Sequence, residues 1–122
     1  MTVPDAAPQP TTFDHPFLRA TTGAGDEILD PSEDALHLLV ESVEAGGEFV
    51  IVESLLPASD GRYAQTVRLD DGSWCVEVRS GLQETHVSTV VADRWAAAKL
   101  LAGWAHAVDG WAHGQAWQPV VY

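Results

Sequence analysis

The stretch Gln65-Thr66-Val67-Arg68-Leu69-Asp70-Asp71-Gly72-Ser73-Trp74-Cys75-Val76-Glu77-Val78-Arg79 decides the fold class. Trp74, Val76 and Val78 alternate with Cys75, Glu77 and Arg79, the two-residue period of a half-buried strand. Arg62 to Leu69 alternates as well. Asp71-Gly72 between the two runs signals a two-residue hairpin turn, whose central residues both take positive φ. That turn predicts Leu69 opposite Trp74, Val67 opposite Val76 and Thr66 opposite Glu77.

Working outward, Thr85, Val87, Thr89 and Val91 alternate in a third run. Ser80-Gly81-Leu82-Gln83 suits a turn with glycine first. It predicts Val76 opposite Val87, Glu77 opposite His86 and Arg79 opposite Glu84. Apolar side chains then share one face and complementary charges share the other. Phe49-Val50-Ile51-Val52 is β-rich and adds a fourth strand.

Helices flank these strands. Asp30-Pro31-Ser32-Glu33 reads as N-cap, N1 proline and capping-box glutamate. Leu36, Leu39, Val40 and Val43 follow at helical spacing. The spacing predicts a helix over 31–45, stopped by Gly46-Gly47. Asp93 is a candidate N-cap for a second helix with the stripe Ala97, Leu100, Leu101, Trp104 and Val108, ended by Gly110. Pro119 restricts any final strand to an edge. The expected fold is α+β: a four-stranded antiparallel meander with two helices packed on its Trp74 face. The other face stays open and polar.

Residues 1–27 read as a flexible N-terminal arm, with Pro4, Pro8, Pro10, Pro16 and a Gly23-Ala24-Gly25 stretch. Residues 28–122 read as a single α+β domain. Met1 to Pro10 lacks the basic and apolar regions of a signal peptide. No apolar run approaches the roughly 20 residues of a membrane span. One cysteine, Cys75, excludes an internal disulfide and suits a cytoplasmic setting.

Charge excludes more. Eighteen acids against six bases give a net charge of −12. Nucleic-acid binding needs basic clusters, and an anionic membrane surface repels such a chain. A basic protein partner is attracted. Asp70, Asp71, Glu77, Arg79, Glu84 and His86, at the hairpin end and on the open face, are the candidate partner-binding residues. Cys75, Glu77 and His86 also suggest acid–base or thiolate chemistry, but an open face gives little enclosure. No catalytic set is assigned. The five histidines lack zinc spacing, the aspartates lack a calcium loop and the glycines lack a phosphate loop, so no metal or cofactor is expected.

The series Tyr63-Ala64-Gln65, Asp71-Gly72-Ser73-Trp74-Cys75-Val76-Glu77-Val78-Arg79, His86, Trp104, Trp111 and Trp117 resembles the first-numbered immunity protein family of bacterial polymorphic toxin systems. It also resembles uncharacterised small bacterial proteins with the same order of features. The resemblance spans about residues 30 to 120. It implies a non-enzyme that binds a cognate toxin, often a nucleic-acid deaminase or another secreted enzyme domain, and occludes it. The alternative is an adaptor or secretion-chaperone-like module with a non-toxin partner.

Overall fold

The computed structural model describes residues 16–44, 48–56, 61–80 and 86–120. Among these the chain forms β1 (Leu18–Thr22), β2 (Glu27–Leu29), α1 (Glu33–Glu44), β3 (Phe49–Ser54), β4 (Tyr63–Arg68), β5 (Trp74–Arg79), β6 (His86–Val91), α2 (Arg94–Ala105) and β7 (Gln118–Pro119). The strands make one antiparallel sheet in the order β2-β1-β3-β4-β5-β6-β7. The fold is α+β, as expected, but with seven strands among the described residues rather than four.

The additional strands come from segments with weak apolar periodicity. On β1 the inward side chains are Ala20 and Thr22, both buried but small or polar. Alternation of large apolar residues, the usual strand signal, is therefore missing there. The boundary expected at 27/28 is corrected accordingly: β1 lies inside the sheet, between β2 and β3. The remainder of the expected arm, residues 1–15, lies outside the described residues, as do Gly46-Gly47, Gly81 and Glu84.

The N-cap role read for Asp30 falls to Ser32. Ser32 is the helix cap, its Oγ accepting from the Ala35 N–H at 3.1 Å. Asp30 instead accepts at Oδ1 from the Phe17 and Leu18 N–H groups, at 2.8 and 3.0 Å, and so anchors β1. The stripe Leu36, Leu39, Val40 and Val43 is buried as expected. α1 covers β1 and β3, and α2 covers β4 and β5. Trp74, Val76 and Val78 lie buried beneath these helices. Each such side chain contributes about 1.5–3 kcal/mol by leaving water.

α2 begins where the sequence placed it, with Asp93 accepting from the Ala96 N–H at 2.9 Å. It ends earlier than Gly110. Val108 N–H donates to Gly103 O, Ala107 N–H donates to Trp104 O, and Ala107 takes φ 51°. This is a Schellman closure with alanine in the left-handed position. Val108 consequently falls beyond the helix and is exposed, while Trp104 is half-buried. A Cβ added at Gly103 would sit 2.6 Å from the Trp111 Cβ, so the glycine lets the C-terminal segment dock on α2.

The central hairpin differs from expectation by one residue. Leu69 N–H donates to Ser73 O and Gly72 N–H donates to Leu69 O. Gly72 takes φ +90°, whereas Asp71 is not among the positive-φ residues. The loop is thus Asp70-Asp71-Gly72, a turn closed by a glycine bulge. Arg68 faces Trp74, Thr66 faces Val76 and Gln65 faces Glu77. A one-residue shift reverses every side chain of β4. Ala64 and Thr66 therefore point into the core, and Tyr63, Gln65 and Val67 point to the open face.

Candidate partner-binding surface

No described helix covers the face opposite Trp74. Strand register arranges its side chains in rows that cross the sheet. The row nearest the central hairpin is Phe49, Val67, Cys75 and Val90. It is apolar, and Val90 is 59% exposed. Thr21, Ile51, Gln65, Glu77, Ser88 and Gln118 form the middle row. The far row is Arg19, Glu53, Tyr63, Arg79 and His86.

The apolar row ends against a carboxylate rim. Antiparallel pairing brings the β1–β2 turn, the start of β3, the β4–β5 loop and the end of β6 to one end of the sheet. Asp26, Glu27, Glu48, Asp70, Asp71 and Asp93 lie there, with Arg68 at the end of β4. Asp71 is held below the usual carboxylate pKa, chiefly by the Ser73 hydroxyl and then by the Ser73 N–H. It stays ionised.

Among the sequence candidates, Glu77 lies in the middle row and Arg79 and His86 in the far row, away from Asp70 and Asp71. Glu84 lies outside the described residues. The β5–β6 register is shifted by two from expectation: Glu77 faces Ser88, Val76 faces Thr89 and Arg79 faces His86. β5 ends at Arg79 and β6 starts at His86, so the connection is longer than a two-residue turn. An even shift preserves the faces. Glu77 and His86 still meet diagonally, with His86 Nε2 2.6 Å from Glu77 Oε2.

Tyr63 completes this contact. Its hydroxyl donates to Glu77 Oε2 at 2.8 Å and lies 3.2 Å from His86 Nε2. His86 is only 7% exposed. The three side chains form a connected polar network that locks β4, β5 and β6 together. Sequence reasoning missed Tyr63 because the two-residue turn put it on the helix-covered face. Arg19 bonds Glu53 across β1 and β3, and that hydrogen bond and charge raise its pKa.

The Cys75–Glu77–His86 combination is not assembled as a nucleophilic site. Cys75 faces Val67 and Val90. Four strand positions separate its row from that of His86, about 13 Å. Burial, and then the Glu77 charge, push the Cys75 thiol pKa up, which disfavours the reactive thiolate. Among the described residues no group of three His, Cys, Asp or Glu side chains is placed to hold a metal ion. No described helix is long and apolar enough to cross a membrane. No family model, curated protein or solved structure matches this chain.

Proposed function

We propose that this chain is a non-catalytic binding protein, and specifically an immunity protein that neutralises a basic toxin domain by occluding it. The apolar row Phe49, Val67, Cys75 and Val90, with Phe49 and Val90 exposed and Val67 and Cys75 half-buried beside a carboxylate rim, carries the reading. An apolar centre with a charged border is the anatomy of a protein–protein interface. The net charge of −12 would steer a basic partner toward it. The toxin as partner rests on the family resemblance. Asp70 and Asp71 belong to the docking surface, whereas Glu77 and His86 are bound to Tyr63 further along the same face, with Arg79 beside them.

Affinity capture with the whole protein as bait, followed by stopped-flow binding to the captured partner, tests this. Association should slow steeply with added salt, as the Debye length falls from about 10 Å at 0.1 M to about 3 Å at 1 M. Asp70→Lys with Asp71→Lys should slow association. Val90→Asp should accelerate dissociation at least tenfold. A partner without toxic activity would favour the adaptor reading. Inactivation of a toxin at sub-stoichiometric amounts would overturn the non-catalytic reading.

A further inference from the structure

On the opposite side of the molecule, the helix layer carries a second apolar feature. Leu38 and Trp95 are 64% and 60% exposed. Neither belongs to the buried stripe of its helix, so the core does not require an apolar residue at either position. They flank a hollow of about 360 Å³ between α1 and α2, lined also by Asp34, His37, Glu41, Arg94 and Ala98.

The indole is braced. The Arg94 guanidinium lies 4.8 Å from the centre of the Trp95 ring. Arg94 Nη2 is itself 3.5 Å from Glu41 Oε2, which ties α2 to α1. The His37 ring sits 6.2 Å from the indole on the other helix. An exposed tryptophan fixed in this way has already lost rotamer freedom, which lowers the cost of binding against it.

We propose that this groove is a separate docking site for a short basic segment of a protein partner, which inserts one large apolar side chain between Leu38 and Trp95. Charge selects the occupant. With Glu41 paired to Arg94, Asp34 is the excess carboxylate of the lining, and Glu33 adjoins it on α1. A second copy of this chain would bring another −12 and be repelled. A segment with lysine or arginine on both sides of an apolar residue matches both the acidic rim and the apolar hollow. The site lies across the sheet from the Phe49–Val90 row and does not rest on the function proposed above. Both surfaces can be occupied together.

Heteronuclear NMR of the whole protein tests the site with three short amidated peptides. The first is built of arginine and lysine around a central leucine. The second replaces that leucine with serine, and the third replaces the bases with glutamate. The first should shift the Trp95 indole N–H and Leu38 methyl signals to saturation, with Trp95→Phe assigning the indole. Leu38→Ser and Asp34→Lys, both at exposed positions, should each weaken it at least tenfold with unchanged circular dichroism. Val90→Asp should leave it unaltered. Absence of a saturating shift, equal binding of the serine peptide, or shifts centred on Val67 and Val90 would each overturn the proposal.

Discussion

Trp74 is fully buried, yet its indole N–H meets no hydrogen-bond acceptor among the described residues. The side chain therefore stabilises through its area and costs about 1–3 kcal/mol through its unpaired donor. Trp74→Ala should destabilise the domain by about 3–5 kcal/mol in urea unfolding. Trp74→Phe keeps an aromatic ring and removes the donor, so it should cost less than half as much. Equal losses for the two variants would show that the N–H is satisfied in solution. Burial of Trp74 was legible, because alternation in β5 names the face without any partner strand. The role of Asp30 was not. A cap and a loop anchor demand the same short carboxylate, and only the location of Leu18 separates them.

At the scale of elements, both helices were legible because their periodic stripes are local. The β4–β5 loop was legible as a turn but not in its length. Asp71-Gly72 signals where the chain reverses, whereas the assignment of Asp70 to loop or strand decides which side of β4 is buried. Leu69 already pairs with Ser73, so deleting Asp70 should leave an Asp71-Gly72 two-residue turn and an unchanged register. Cross-strand nuclear Overhauser contacts between Thr66 and Val76 should persist. Gly72→Ala should cost about 1–2 kcal/mol, since alanine resists the left-handed backbone there. Loss of the Thr66–Val76 contacts on deletion would show that the glycine bulge itself sets the register. β2 and β7 were hard to read for another reason. Edge strands of three and two residues are too short to show a period.

For the molecule as a whole, composition and pattern sufficed for the α+β class with an antiparallel sheet. They did not suffice for the width of the sheet or the grouping of the site residues. Asp70 and Asp71 are near the apolar row, while Glu77 and His86 are tied up with Tyr63, a separation that appears only once register is fixed. The strand order has a consequence for how the chain reaches this state. Apart from the exchange of β1 and β2, spatial order follows chain order, and the widest strand pairing joins Leu18 to Ser54. The other pairings join strands directly adjacent in the chain, except β6 with β7, and both longer closures contain a helix that shortens the free loop, so the entropy of closing each loop stays small. The sheet can be laid down progressively, as from a growing polypeptide, with each helix in place before the strand that follows it. Refolding from urea should follow a single exponential on the order of milliseconds. An intermediate persisting for seconds in stopped-flow fluorescence would show that some step other than successive strand addition limits the rate.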